Sequence, residues 1–547
     1  MFDLTEKPGR NAPCSCESGK KFKHCCAASA TPKPRSLNLK DLEYQAHSAV
    51  VAGDFATAEQ LFRKLLQAKP RDAFVLANLG QALCWIKRKR EGLHYLLQAA
   101  KLLQRQLNKS DDPRFAIELS SQLLHWGEVT MAETLARLAV KIKPSSPEAL
   151  NNLAMCLTRI NCHEEALLIS RRVCELLPKQ PGANILLAMI EAKTGDNSQS
   201  LQRLVAVITE NSDPEQTARA WLEMGVILDK QGRYAEAFNA MSLAANAHSS
   251  LINYPPAMRD FIFESIQCNR ESFDDALLNR WSTAEICNDG LPMPAFLLGF
   301  LRSGTTLTEQ VLDAHPDLIA TDESTILHEM GQELARMSGV ENNHGRALGS
   351  ITLEKIAQLR QFYWRRMREE YGNEVMRKQL VDKNALNTID LGLISVVFPE
   401  AKILFALRDP RDVAISCYMQ AFSPSPATVN LLSWQGIGRQ YEAIMDYWLH
   451  LRPLIQPKIL EIRYEDLVTE FEICYRGVFE FLDLPWAQRV ANFHSNAKRR
   501  YISTPSFAAV SQPIYKSAIA RWRNYEQPMQ ELLPSLGRFI VEFGYPA

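Results

Sequence analysis

The segment Gly299-Phe-Leu-Arg302-Ser303-Gly304-Thr305-Thr306 has the composition of an anion cradle. The apolar run Ala-Phe-Leu-Leu before Gly299 reads as a buried parallel strand, and the amphipathic LTEQVLDAH after Thr306 reads as a helix. Strand, glycine-bounded loop and helix start aim several backbone N–H groups and a positive dipole end at one point, which is how proteins hold phosphate. The Gly299-x4-Gly304 spacing is that of a nucleotide-phosphate loop. Thr305, however, stands where NTPases carry the lysine that reaches the outer phosphates, so the loop does not read as a kinase or ATPase site.

A second strand–helix junction lies at Ala401-Lys-Ile-Leu-Phe-Ala-Leu407, followed by Arg408-Asp-Pro-Arg411-Asp. Arg408 falls at the carboxyl end of its strand, the edge where open α/β sheets bind ligands. Ser416, two turns into the next helix, is positioned to aim its hydroxyl at a phosphate gripped by Arg408. Two separated phosphate sites imply a nucleotide phosphorylated at both ends.

These segments, with His315-Pro-Asp and Glu323 downstream, Asp382-Lys383-Asn384, Phe398-Pro-Glu-Ala-Lys402, Arg463-Tyr464-Glu-Asp-Leu467, and Gln512-Pro-Ile-Tyr515 with Arg521-Trp522, run in a fixed order. The stretch from about residue 290 to 545 thereby resembles the P-loop sulfotransferases that use 3′-phosphoadenosine 5′-phosphosulfate. The likeness is greatest to the branch holding protein-tyrosine sulfotransferases and bacterial tetratricopeptide-sulfotransferases. The resemblance implies that the loop amides of Ser303, Gly304, Thr305 and Thr306, with Arg302, hold the 5′-phosphosulfate of the donor substrate. It also implies that Lys383 and Ser506 stabilise the departing oxygen and that Arg408 and Ser416 take the 3′-phosphate. Tyr464 would lie against adenine, with Arg521 a second cation near the nucleotide, and no catalytic metal is implied. Independently, residues 494–525 hold Lys498, Arg499, Arg500, Lys516, Arg521 and Arg523 without an acidic residue, a local excess that suits a polyanionic donor.

An acceptor hydroxyl must lose its proton as sulfate arrives, and a carboxylate beside a cationic site serves as base if its pKa is raised. Glu323 is the candidate, with Asp322 as rival, and its separation from Arg302 resembles that of the catalytic glutamate of the tyrosine branch. The alternative for this acidic pair is N-capping of a helix that begins near Ser324. His315 and His328 read as structural. The acceptor suggested by this branch is a protein tyrosine. Three alternatives stay open: a carbohydrate or small-molecule hydroxyl as acceptor, a scaffold whose nucleotide domain no longer catalyses, and an ATP-dependent kinase.

At the N-terminus, Cys14, Cys16, Cys25 and Cys26 flank a Ser18-Gly19 turn. Four thiolates at this spacing can converge on one structural zinc, their charge eased by Lys20, Lys21 and Lys23. The pattern resembles the SEC-C motif, a small docking knuckle. The other eight cysteines, scattered among apolar neighbours, read as core packing.

Between these ends the chain repeats. Gly53, Ala58, Leu65 and Pro70 recur as Gly127, Ala132, Ala139 and Pro144, then as Cys162, Ala166 and Pro178, with a period near 34. About six such units resemble tetratricopeptide repeats, whose groove either binds a protein or peptide acceptor or shapes the adjoining domain.

The expected organisation is multidomain: a zinc knuckle (1–28), a linker (29–39), an all-α repeat solenoid (40–250), a helical connector (251–289) and an α/β domain with a parallel sheet (290–547). The 547 residues are 46% hydrophobic and 23% charged, which is the composition of folded globular chains. Sixty-two basic residues balance sixty-two acidic ones, so no bulk field favours nucleic acid or an anionic membrane. The N-terminus lacks a secretory apolar core and no run is long enough to span a membrane, so a cytoplasmic location is expected. Sequence leaves the oligomeric state open.

Overall fold

The computed structural model describes residues 11–13, 18–24, 39–106, 112–210, 213–251, 254–282, 289–493 and 516–546. They divide into two compact units, Met1–Arg105 and Gln106–Ala547.

In the first unit the chain folds back at Gly19, whose φ is +70°, and pairs Pro13 with Lys21 in an antiparallel bridge. The 3-10 turn Phe22–His24 follows. The four cysteines expected to hold zinc lie outside the described residues. Helices α1 (Leu39–Val51), α2 (Phe55–Ala68), α3 (Ala73–Trp85) and α4 (Lys89–Gln106) form two helix–turn–helix pairs.

The second unit opens with four more pairs: α5 (Arg114–Trp126) with α6 (Val129–Ile142), α7 (Pro147–Arg159) with α8 (His163–Leu176), α9 (Pro181–Thr194) with α10 (Asn197–Glu210), and α11 (Pro214–Lys230) with α12 (Tyr234–Leu251). The recurring alanines Ala132, Ala139 and Ala166 are fully buried where helices cross. A Cβ on Gly225 of α11 would meet Met241 of α12 at 2.8 Å, so that crossing tolerates only glycine. Proline starts α7, α9 and α11 behind Ser146, Gln180 and Asp213, whose side chains accept the free amides of the first turn. The first helices of successive pairs pack side by side, the mark of a repeat array.

The remainder of this unit is an α/β domain. Five parallel strands, β1 (Ala295–Gly299), β2 (Leu318–Ala320), β3 (Gln379–Lys383), β4 (Lys402–Leu407) and β5 (Lys458–Arg463), lie in the order β2-β3-β1-β4-β5. The central β1 is buried at every position and β4 at all but its first, as expected for strands covered on both faces. Leu297 pairs with both Lys383 and Leu404, so the ends of β3, β1 and β4 reach one edge in register. The chain order reverses direction at β1, which makes the carboxyl edge beside it the natural ligand crevice.

The last repeat pair is fused to this domain. Phe238 of α12 packs on Tyr418 and Trp434 with ring centroids 5.3 and 5.1 Å away, and the Tyr418 hydroxyl donates to Ser242 Oγ at 3.1 Å. Asp229, near the end of α11 and 8% exposed, pairs with Arg521 and accepts from the Tyr525 hydroxyl at 2.5 Å. That buried carboxylate raises the Tyr525 phenol further above its usual range, where burial already holds it. Among the described residues no helix is long and apolar enough to cross a membrane.

Removing Asp229 leaves a guanidinium and a buried hydroxyl without their acceptor, which should cost about 3 kcal/mol. Denaturant unfolding of Asp229→Ala, followed by tryptophan fluorescence, should show this loss. A loss below about 0.5 kcal/mol would mean that the contact does not brace the two regions.

Candidate active site

The anion loop is shaped by backbone proximity. Gly299 has φ +148°, and a Cβ there would lie 2.6 Å from the Ala406 carbonyl of β4. Gly304, at φ +95°, lies against the Tyr464 ring, where a Cβ would come within 2.8 Å of Cδ2. Between them Arg302 takes the left-handed region at φ +69°, costing about 1 kcal/mol or more for a residue with a side chain. Thr388 fixes the loop's root by donating to the Gly299 carbonyl at 2.8 Å and accepting its amide at 3.1 Å. Helix α13 (Thr305–Asp313) starts immediately after Gly304, and its first turn is buried.

The two predicted phosphate cations converge on this loop. Arg302 Nε donates to Ser416 Oγ at 2.9 Å, while Arg408 donates to the Arg302 carbonyl at 3.1 Å and to the Ala518 carbonyl at 2.6 Å. The Arg408 guanidinium stands 4.6 Å over the Tyr464 ring. Its buried Nε has no hydrogen-bond partner among the described residues, a donor left for an anion oxygen.

Across the crevice, Lys383 ends β3 with 0% exposure. Its Nζ lies 2.7 Å from Glu323, 3.0 Å from Glu309 and 3.2 Å from Asp322. Burial alone would lower the Lys383 pKa, but these carboxylates override it and hold the ammonium well above the usual lysine range. Glu309, on α13 and 4% exposed, responds the other way: burial pushes its carboxyl up to about 7 against the pull of Lys383. The neighbouring residues of β3 explain the Asp-Lys-Asn run. Asp382, pushed up to about 6 by burial, accepts from Thr321 and Tyr363 at 3.1 and 2.9 Å. Thr321 in turn accepts the Lys383 amide at 2.8 Å, and Asn384 donates to the Ser324 carbonyl at 3.1 Å. The loop carrying Asp322 and Glu323 is thus tied to β3 on both sides, with Glu323 itself at φ +51°.

The carboxyl-terminal segment closes the Arg408 side. Asp412 accepts the Ala520 and Trp522 amides at 2.7 and 2.8 Å, and Arg411 lies 3.7 Å over the Trp522 ring. Arg302, Ser416, Arg408 and the loop therefore form one cluster, and Lys383 with Glu323 forms a second beside it on the same sheet edge. Three expectations meet different surroundings. Tyr464, expected against adenine, is 9% exposed, with Arg408 over its ring and Gly304 against its edge, so its neighbours are the loop and the arginine. Arg521 faces Asp229 of the repeats. The helix expected near Ser324 begins instead at Ile326, and neither Asp322 nor Glu323 caps it. His315 is structural as expected, with Nε2 2.9 Å from the Pro485 carbonyl. Ser506, Lys498, Arg499, Arg500 and Tyr515 lie outside the described residues. Sequence reasoning missed Glu309; its signal was a carboxylate about one turn into the helix that follows the loop, apart from Asp313 at the helix end.

The sheet order, the glycine-bounded loop after β1 and the buried lysine that ends β3 together define an α/β domain with its candidate site at the carboxyl edge. Residues 294–488 match the family model described as "Sulfotransferase family", so the α/β domain is a sulfotransferase-family domain. Residues 185–250 match a tetratricopeptide repeat model and residues 10–28 match the SEC-C motif. An uncharacterized protein of Aquifex aeolicus (strain VF5) is 29% identical over 453 residues, or 80% of this chain and 57% of that protein. Protein-tyrosine sulfotransferase 1 of Danio rerio is 25% identical over 269 residues, covering 47% of this chain and 74% of that one. The protein-tyrosine sulfotransferase of Drosophila melanogaster is 25% identical over 247 residues, covering 42% and 46%. Among solved structures, the sulfotransferase domain from the curacin biosynthetic pathway matches at 19% identity and a TM-score of 0.34, covering 47% of this chain and 99% of that one. The chain spans just over half the length of the Aquifex relative and just under half that of the Drosophila one.

The Glu309 carboxyl, near 4.5 in the unfolded chain, is pushed up to about 7 by burial in the folded one. Between those values the folded state holds the extra proton, so this group makes stability fall as pH rises, with no slope beyond either end. Melting temperatures of wild type and Glu309→Gln, compared from about pH 5 to about pH 8, should therefore diverge, with wild type losing ground toward the alkaline end. A constant difference would contradict the raised carboxyl.

Proposed function

We propose that the α/β domain transfers a sulfuryl group from 3′-phosphoadenosine 5′-phosphosulfate to an acceptor hydroxyl, and that the acceptor is a tyrosine of a polypeptide. The observation that carries this reading is the convergence of Arg302, Ser416 and Arg408 on the anion loop, with the Lys383–Glu323 pair beside them. The unpartnered Nε of Arg408 suits an oxygen of the 3′-phosphate, with Ser416 alongside. The amides of Ser303, Gly304, Thr305 and Thr306 and the side chain of Arg302 would take the 5′-phosphosulfate at the start of α13.

In the reaction the sulfur–oxygen bond to the 5′-phosphate breaks as a bond from sulfur to the acceptor oxygen forms. The electron pair of the broken bond stays on the 5′-phosphate, where Lys383, with Ser506 as a second donor, would balance the charge. The acceptor proton passes to the Glu323 carboxylate. Lys383 Nζ, 2.7 Å from Glu323 Oε1, holds that carboxylate in place at the sheet edge. The tyrosine acceptor draws support from the protein-tyrosine sulfotransferases of Danio rerio and Drosophila melanogaster, and a polypeptide acceptor from the peptide-binding capacity of repeat arrays. The zinc knuckle would dock a partner, and its ligands would be Cys14, Cys16, Cys25 and Cys26.

The test is transfer of labelled sulfate from the donor to tyrosine-bearing polypeptides by the full chain. Glu323→Gln should lower turnover by about a hundredfold or more while adenosine 3′,5′-bisphosphate still raises the melting temperature. Lys383→Ala should lower turnover at least as far. Full turnover in Glu323→Gln would remove it as base, and labelling of carbohydrate or small-molecule hydroxyls in place of tyrosine would overturn the acceptor.

A further inference from the structure

The ammonium of Lys383 has three N–H bonds and three acidic neighbours. It donates to Glu323 Oε1 at 2.7 Å and to Asp322 Oδ1 at 3.2 Å. Glu309 Oε2 lies 3.0 Å from Nζ, yet that oxygen is buried and has no hydrogen-bond partner among the described residues. Its other oxygen, Oε1, accepts from the buried Gln310 side-chain amide at 2.7 Å. Glu309 thus meets Lys383 by charge, without the directed bond that the other two carboxylates accept.

Glu309 is also the member of the trio cut off from water. The side chains of Asp322 and Glu323 are 26% and 32% exposed, that of Glu309 only 5%. The charges it faces are Lys383 from β3 and Asp322 and Glu323 from the loop after β2. Strands β1 and β2, which also pack on α13, carry only apolar side chains and glycine. Tyr475 approaches α13 at Thr308, 3.3 Å away, and burial keeps its phenol neutral. With all three carboxylates ionised, one ammonium leaves two negative charges in excess, and Glu309 holds its share one turn into the helix that the anion loop begins. A polyanion seated on that loop adds repulsion, which water relieves at the two exposed carboxylates and cannot relieve at the buried one.

We infer that Glu309 is a proton-coupled positioning residue: as the donor nucleotide seats on the anion loop, Glu309 takes a proton from solvent and yields the third N–H of Lys383 to an oxygen of the 5′-phosphate. The ionised carboxylate competes with that oxygen for the ammonium, and the neutral acid does not. The two bonds from Lys383 to Glu323 and Asp322 stay in place, so the ammonium turns toward the donor without releasing the loop that carries Glu323. The proton forms an O–H bond on Glu309 and goes back to solvent when the product nucleotide leaves, so each cycle closes without net gain or loss at this residue. Burial, by pushing the carboxyl up to about 7, keeps this exchange within reach of neutral pH.

This inference rests on the sulfotransferase reading above, and calorimetry separates the two. The full chain is titrated with adenosine 3′,5′-bisphosphate at about pH 8, where the phosphates of the nucleotide are already ionised, in two buffers of different ionisation enthalpy. Wild type should take up between about half and one proton per nucleotide bound, and its affinity should fall at least about tenfold from about pH 7 to about pH 9. Glu309→Gln, neutral at every pH, should take up none and keep a level affinity over the same range. A glutamate that only supports the fold would change the affinity of the variant and leave its pH slope as in wild type. The wild-type proton count needs no variant, so the test stands even where Glu309→Gln folds poorly. Nucleotide binding without proton uptake in wild type, or uptake undiminished in Glu309→Gln, would overturn the role of Glu309 and leave the sulfotransferase reading intact. Failure of wild type to bind the bisphosphate at any pH from about 6 to about 9 would overturn both.

Discussion

The second unit is organised around one ammonium group taken out of water. Lys383, fully buried at the end of β3, is held by Glu323, Asp322 and Glu309, one from each of two loop positions and one from the helix that follows the anion loop. Burying an unpaired lysine would cost several kcal/mol, so the three acidic groups are a condition of folding as well as of chemistry. They also exceed what one cation can neutralise. Burial, which pushes the Glu309 carboxyl up to about 7, reduces that excess.

That arrangement fixes the strand register. Lys383 must end its strand beside Leu297 for the ammonium to face the anion loop, and the Thr321–Asp382–Tyr363 chain of hydrogen bonds holds β3 to the loop that brings Glu323. A one-residue slip would turn Lys383 to the other face and strand its charge. The opposite side of the crevice depends on longer-range contacts. Arg408 is seated by carbonyls from the anion loop and from the carboxyl-terminal segment, and that segment is pinned in turn by Asp412 and by Asp229 of the repeats. The last repeat pair therefore takes part in seating the segment that binds Arg408.

Local pattern made much of this legible. The buried strands before Gly299 and Arg408 showed in their apolar runs, and the repeat period showed in its small residues, because both signals are set within a few residues. Asp382-Lys383-Asn384 stood out as a motif, but its reason did not, since Thr321, Tyr363 and Ser324 reach it only in the fold. Glu309 was invisible for a related cause. Its helix reads as amphipathic, whereas Thr305–Leu312 are buried on all sides, and only packing against β3 turns an ordinary glutamate into a partner of Lys383. Asp229 and Arg521 are joined across nearly three hundred residues, a separation at which sequence pattern carries no pairing information. A motif position alone likewise carries no sign that Arg521 meets Asp229 or that Arg408 lies over the Tyr464 ring.

The central claim is that one nucleotide is gripped by phosphates at both ends, and calorimetry tests it most directly. Wild type should bind adenosine 3′,5′-bisphosphate at least a hundredfold more tightly than adenosine 5′-monophosphate, a difference of about 2.7 kcal/mol. Arg408→Ala should erase most of that preference while leaving the weaker ligand's affinity nearly unchanged. A preference that survives in Arg408→Ala, or one that never exists in wild type, would contradict the account.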